Sequence, residues 1–439
     1  MAELERVEFT KEMKKDYTLL LPTMIPNTFE IIREAFINLG YKADLLVNES
    51  SNVLRTGLKY VHNDMCYPAQ LVIGQLIDAV QNCGYDSHKV ALVITQTGGG
   101  CRASNYIHLL RKALLNAHME YIPVISLSNI EKNSGFKFTT KMILQAFAGL
   151  VYGDLINLLS SQVRPYEITK GETDKVVKKW REILVEKFKN NKGYFGYAMS
   201  HNVTKLTKDF ASIPVTDEPK IKVGVVGEIY IKFSPLGNNH LQEMLEEQGC
   251  EVMIPSLLGF FMYGLENAKW DYKYYGGFAR WKKKMINAPL LKIAEALESS
   301  IYKNVAKASD RFNVPQGFKH MKTLSSSIID KGVKMGEGWL LSSEVLELDE
   351  LGYSNVVCAQ PFGCLPNHIV AKGMIRSIAD INSDINIVPI DYDPSSTRVN
   401  QENRIKLMLA IAKEKLENRI DIEEGRKEEE EEKPVANRA

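Results

Sequence analysis

Four cysteines sit where the chain should turn back on itself: NDMCY (Cys66), TGGGCR (Cys101) and VCAQPFGCLPNH (Cys358 and Cys364). Each lies at or just after the end of an apolar run, close to Gly or Pro. Thiols at such turns can converge on one exposed point, where thiolates hold a metal. No CxxC occurs and the eight histidines show no ligand spacing, so the paired pattern usual for zinc is missing. Four dispersed thiolates suit an iron–sulfur cluster bridging distant loops, although spacing by itself leaves zinc open.

Each position also has a plainer reading. In QTGGGCR (96–102), Gly98, Gly99 and Gly100 let the backbone turn tightly after a strand and bring N–H groups toward a ligand. Cys101 is then expected at a helix N-terminus, where the dipole and Arg102 favour thiolate. The run is neither GxxxxGK[ST] nor GxGxxG. The plainer alternative is a tight turn with a small buried thiol. Cys66 precedes Pro68 by two residues, which suits the first turn of a helix, and a thiol there is often simply core. Cys358 falls inside a strand pattern and reads equally as a packed core thiol, whereas Cys364 lies in the turn itself. His368 reads as a first-turn helix residue beside the site rather than a ligand. Cys83 and Cys250, at a helix end and a strand start, read as structural.

The elements that must position these residues alternate between strand and helix. A strand at 17–22, a helix at 27–40 ended by Gly40 and a strand at 41–47 form the first unit. The same order returns with a strand at 221–228, a helix at 238–249 ended by Gly249 and a strand at 250–255. Further strands are expected at 88–95, 122–127, 354–359 and 385–391, with mostly helical sequence from 139 to 210. The predicted fold class is α/β: two doubly wound domains with largely parallel sheets and a cluster site in the crevice between them. The first domain spans 1–215 and carries Cys66 and Cys101; the second spans 216–420 and carries Cys358 and Cys364. Segment 213–220 is the expected hinge, and 421–439 an expected disordered charged tail. In such sheets ligands bind beyond the carboxyl ends of the strands, where Cys101, Cys358 and Cys364 fall.

Two other stretches are conspicuous. Asp391 and Asp393 in IDYDPSSTR follow a strand and face the same crevice, or form an Asp-Pro turn that caps the last helix. WDYKYYGGFARWKKK (270–284) mixes Trp, Tyr and Lys, which suits stacking on an adenine nucleotide, protein docking or an amphipathic lid.

The 439 residues carry 55 basic and 54 acidic side chains, so no bulk charge argues for nucleic acid or a membrane surface. The N-terminus lacks the apolar core of a signal peptide, and no apolar stretch is expected to span a bilayer. The expected compartment is the cytoplasm, where six scattered cysteines do not serve as a disulfide framework.

NDMCYPAQLVIGQLIDA, ITQTGGGCRASNYIHLLRKAL, KVGVVGEIYIKF and QPFGCLPNHIVAKGMIR closely resemble the 2-hydroxyacyl-CoA dehydratase superfamily. Most similar is the dehydratase-like portion of the activase-related proteins, over residues from Phe9 to Leu416. The resemblance implies a pair of α/β domains holding a [4Fe–4S] cluster, or a double-cubane cluster as in related reductases. It implies Cys66, Cys101 and Cys364 as ligands, with Cys358 as a fourth candidate, and Gly98, Gly99, Gly100 and Arg102 around the cluster loop. In that family a separate ATP-dependent iron–sulfur activase supplies the electron, and the substrate is an acyl-CoA that loses a 2-hydroxyl group. A homodimer or heterodimer is implied as well. The chain has no activase-like half, so the activase would be another protein. Four thiolates on one cubane would close it to substrate, so binding by Cys358 as well would imply an electron-transfer component or a larger cluster. A zinc or structural-thiol binding protein is the remaining alternative.

Overall fold

The computed structural model describes residues 7–97, 100–127 and 135–431, with side chains up to Asp421. Among these residues, eight strands form two four-stranded sheets, and every pairing is parallel. The first sheet contains β1 (Thr18–Leu21), β2 (Lys42–Leu45), β3 (Val90–Ile94) and β4 (Val124–Ser126), in the order β2-β1-β3-β4. The second contains β5 (Ile221–Gly227), β6 (Cys250–Met253), β7 (Asn355–Pro361) and β8 (Asn386–Tyr392), in the order β6-β5-β7-β8. The repeated strand–helix–strand rhythm of the sequence therefore corresponds to one topology used twice.

The inner strands are continuous apolar runs because both of their faces are covered. All five residues of β3, VALVI, are buried, as are the last five of β5. In each sheet the chain leaves the first strand toward one flank and returns on the other. That places the switch points between β1 and β3 and between β5 and β7, where the crevices for ligands open. The β5 end turns at Gly227, whose φ is +145° and where a Cβ would lie 2.1 Å from the Ala359 carbonyl oxygen. Only glycine fits, and the chain reaches Glu228 in a single step.

A helical layer joins the two sheets. Helices Thr140–Ser161, Glu172–Lys189 and Gly196–Ala211 precede β5, while Leu257–Tyr275, Phe278–Ala308 and Phe318–Ile328 follow it. They share one core containing Tyr152, Trp180, Phe210, Met262, Ile301, Phe318 and Trp339, so the layer draws on both sides of residue 215. The expected hinge is tied down in part: Ile168 N–H donates to the Pro214 carbonyl at 3.1 Å and Thr216 N–H to that of Tyr166 at 2.9 Å.

Three expectations need correction. The helix expected at 238–249 is broken, because Asn239 and His240 both adopt left-handed φ values of 55° and 60°. Asn and His tolerate that region best among non-glycine residues. The last helix runs Arg398–Glu431, past the Leu416 end expected for it and into the charged run, of which residues 432–439 lie outside the described residues. Its Glu, Lys and Arg are strong helix formers with little in the sequence to stop them. The segment Thr140–Tyr166 is, contrary to expectation, long and apolar enough to cross a membrane by length and composition. Here 56% of its apolar window is buried within the protein, against the helices around it.

Candidate functional site

Cys66, Cys101 and Cys364 each precede a helical turn. Cys66 caps the helix Tyr67–Asn82, whose first turn accommodates Pro68 as the sequence implied. Cys101 caps the 3-10 turn Arg102–Asn105, which leads into the helix Tyr106–Asn116. Cys364 caps the short helix Leu365–Val370, with Pro366 in its first turn. Ala103 N–H donates to Cys101 Sγ at 3.5 Å. Ala69 N–H and Asn367 N–H favour the thiolates of Cys66 and Cys364 in the same way, without completing a hydrogen bond.

The two crevices meet at these residues. Tyr67 N–H donates to the Phe362 carbonyl at 3.0 Å, joining the Cys66 helix to the turn after β7. Cys101 follows β3 at the first switch point and Cys364 follows β7 at the second. The three thiols share an electrostatic neighbourhood: Cys66 acts on Cys101, Cys101 acts on Cys364, and Glu228 acts on all three. The helix carrying Cys66 is held close to its predecessor, Ser51–Tyr60, by paired glycines. A Cβ at Gly57 would lie 2.1 Å from the Gln70 carbonyl oxygen, and one at Gly74 would lie 2.3 Å from that of Val53.

Cys358 is not brought into this group. It lies within β7, in register with Val226 and Pro389, and its side chain packs with Leu341, Val345 and Val370. Burial pushes its thiol up to about 12, and the charges acting on it come from Asp391, Glu344, Lys372 and Glu337 rather than from another cysteine. Of the glycines, Gly98 and Gly99 lie outside the described residues. Gly100 packs against Met335, where a Cβ would come 2.1 Å from the sulfur. Arg102 is exposed and reaches the Met65 sulfur at 3.9 Å, and its charge lowers the Cys66 thiol slightly against the larger effect of burial. His368 Nδ1 contacts the Cys364 carbonyl at 2.8 Å, which holds the turn. Asp393 accepts N–H groups from Ser395 and Ser396 at 2.7 and 2.8 Å, the Asp-Pro turn geometry.

The expectation that Cys101 would favour thiolate does not hold. Burial pushes it up to about 11, and Glu337, Cys66 and Glu228 add to the rise against the single Ala103 N–H. The turn it caps is one 3-10 turn, too short to supply much dipole. Burial likewise raises Cys66 and Cys364. Thiols held this way give up their protons when a metal replaces them.

Sequence reasoning missed two carboxyl groups. Glu228 follows β5 and accepts Ile231 N–H at 2.9 Å; Glu337 accepts Ile229 N–H at 3.0 Å and the Asn367 side-chain amide at 3.3 Å. Burial holds both above the usual carboxylate range, and the charge of Glu337 adds to the effect on Glu228. A buried neutral carboxyl can face an anionic centre without repelling it. The signal for Glu228 was a carboxylate directly after a Gly-ended strand; Glu337 had none. Tyr106 was missed too, its hydroxyl lying 3.4 Å from Cys66 Sγ.

Among the described residues no group of three or more His, Cys, Asp or Glu side chains is disposed to hold one metal ion. Three thiolates are a donor set that either an iron–sulfur cluster or a zinc ion accepts. Buried polar atoms without a hydrogen-bond partner occur in the same elements: both side-chain polar atoms of Gln360 at the end of β7, and Asn367 Oδ1 after Cys364. No protein-family model matches the chain, and no curated protein matches it.

Proposed function

We propose that the protein is an iron–sulfur protein of the 2-hydroxyacyl-CoA dehydratase type, with a [4Fe–4S] cluster held by Cys66, Cys101 and Cys364. It would accept low-potential electrons from a separate ATP-dependent activase and use them to dehydrate or reduce a CoA thioester or another small molecule. The observation that carries this reading is that Cys66 and Cys364 stand at helix N-termini and Cys101 at the start of a 3-10 turn, beside the two sheets' switch points. The motifs around those thiols, and their resemblance to the superfamily, supply the reaction type.

Such a cluster, when bound, takes up and passes on single electrons. The chain's own residues supply the setting. The backbone N–H groups of Ala69, Ala103 and Asn367 favour negative charge on the sulfurs. Burial raises the carboxyls of Glu228, to about 8, and of Glu337, which favours their neutral forms and lessens like charge beside the thiols. Cys358, packed into β7, leaves three thiols for four irons, which favours a site open to substrate over a closed electron-transfer centre. Six free cysteines and this chemistry suit a reducing cytoplasm.

The experiment is anaerobic reconstitution with iron and sulfide, followed by assay with an activase, ATP and a strong reductant. Charge-transfer absorption and turnover of an acyl-CoA support the full reading. A cluster that changes no substrate leaves an electron-transfer role, and zinc at one per chain with no iron supports a structural-thiol protein instead.

A further inference from the structure

Three helices each contribute one acid to the wall of a single cavity of about 60 Å³: Thr140–Ser161 gives Asp154, Phe278–Ala308 gives Glu298 and Trp339–Glu350 gives Glu347. The cavity shares no lining residue with the thiol site. Two of the acids have structural work. Both Asp154 oxygens accept N–H groups at the start of helix Leu257–Tyr275, from Leu257 at 3.0 Å and Leu258 at 2.8 Å. Glu298 Oε2 accepts Phe318 N–H at 2.8 Å, at the start of helix Phe318–Ile328. Glu347 differs. It is 5% exposed, and its Oε1 is buried with no hydrogen-bond partner. The Glu298 charge acts on it more than any other charge does, so its carboxyl faces the other acids of the cavity.

Among the described residues none of the three acids has an ion-pair partner. Lys232 acts on Asp154 but already pairs with Glu344 at 2.9 Å. The charges that reach Glu298 and Glu347 from neighbouring turns are acidic: Glu295, which Lys322 holds, and Glu344 and Glu350, the latter 2.6 Å from His320. Tyr302 also lines the cavity, and its hydroxyl feels all three acids. The rest of the wall is largely apolar, with Leu155, Ile301, Phe318, Met321 and Leu348.

A ligand matched to this wall carries a positive charge, several donors and a short apolar body. A metal ion is a poor match, because among the described residues no group of three such side chains is disposed to hold one. A primary ammonium matches: it donates in three directions, and its carbon stem suits the apolar side. At about 10–15 Å³ for each water-sized sphere, the cavity takes about four to six non-hydrogen atoms. A larger and more polar pocket of about 440 Å³ adjoins it, sharing Asn157, Leu158, Phe233, Met253 and Ile254, and gives a small amine its way in.

We propose that this chamber binds the ammonium head of a short primary alkylamine, with Glu347 Oε1 as an acceptor and Glu298 and Asp154 beside it. The site is independent of what the thiols hold. Burial keeps the three acids protonated up to about pH 6, 7 and 8, whereas an alkylammonium stays charged throughout that range. The ionised acids are the form that attracts it, so binding strengthens as pH rises from 6 to 8 and releases protons.

Propylammonium chloride tests this on the full chain by titration calorimetry and thermal unfolding. It should bind at least ~10-fold tighter at pH 8 than at pH 6, and raise the unfolding temperature more at pH 8. Heats measured in phosphate and in HEPES should differ, because released protons pass to the buffer. Glu347→Gln keeps the shape and should weaken binding ~10-fold or more, with circular dichroism unchanged. Sodium chloride, tetramethylammonium chloride and 1-propanol at the same concentration should not reproduce the shift. No binding, or binding indifferent to Glu347→Gln, overturns the proposal. An equal shift from either salt reduces the effect to ionic strength and overturns it, and an equal shift from 1-propanol overturns it in favour of a merely apolar cavity. The comparison of propylammonium with 1-propanol on the wild type decides the matter even where the variant fails to fold.

Discussion

Gly363 stands against the backbone of Cys66: a Cβ on Gly363 would lie 3.1 Å from the Cys66 Cα and 3.4 Å from its nitrogen. The turn after β7 in one sheet and the first helical turn after Cys66 beside the other sheet are thus in direct backbone contact. This contact brings Cys364 to Cys66, although the two lie far apart in sequence.

Gly363→Ala tests the contact. Gly363 has φ +73° and Gly352 has φ +85°, but a Cβ at Gly352 would meet nothing within 4 Å. Gly352→Ala should therefore cost only the backbone term, about 1–2 kcal/mol. Gly363→Ala should cost more and should also lower iron loading, because it pushes on the Cys66 helix. Thermal unfolding and iron content after reconstitution, measured side by side on both variants, check this.

The helix bearing Cys66 depends on the Gly57–Gly74 crossing. Gly74→Ala should separate the two helices and destabilise by about 2–3 kcal/mol, as overpacking against a backbone does. Gly100→Ala should be milder, because the atom it meets is the sulfur of the flexible Met335 side chain. Denaturant midpoints of the two variants should rank in that order.

Cys358→Ser separates packing from ligation. Its side chain lies among Leu341, Val345 and Val370, so a hydroxyl there should cost about 1–3 kcal/mol. Iron content should match the wild type, whereas Cys101→Ser should lose cluster absorption with less effect on stability, its thiol being only partly buried.

Stability should fall as pH rises toward 8. Asp154, Glu298 and Glu347 line one cavity of about 60 Å³ beneath the helical layer. Burial raises them to about 6, 7 and 8, respectively, and the neighbouring Glu298 adds to the rise at Glu347. The native state therefore holds protons that the unfolded chain releases near pH 4, so their contribution is fully present below that pH and lost as pH climbs through 6 to 8. Glu347→Gln should flatten the upper part of this slope, on the order of 1–3 kcal/mol. Unfolding temperatures from pH 5 to 9 for both proteins measure it.

Much of the fold was legible because parallel strands buried on both faces write themselves as apolar runs such as VALVI and VGVVG, with Gly or Pro at their ends. The N-caps of Cys66 and Cys364 were legible from the prolines that follow them. Pairing between distant loops was not: nothing local to Gly363 says that it touches Cys66. The side-chain direction of Cys358 was equally hidden, since an apolar strand buried on both faces gives no alternation to read. Glu337 sits in a loop without periodicity, and its role comes only from the N–H groups that tertiary packing brings to it. The broken helix at Asn239–His240 failed for a related reason, because tertiary packing overrode a good helical pattern there.

The central claim is that Cys66, Cys101 and Cys364 hold one cluster and Cys358 does not. The most direct measurement is iron and sulfide content, with electron paramagnetic resonance, of anaerobically reconstituted wild type and the four single Cys→Ser variants. The account predicts about four irons per wild-type chain, loss or a changed spectrum for the Cys66, Cys101 and Cys364 variants, and a wild-type spectrum for Cys358→Ser. Zinc in place of iron, or a cluster lost in Cys358→Ser but kept in Cys101→Ser, would contradict it.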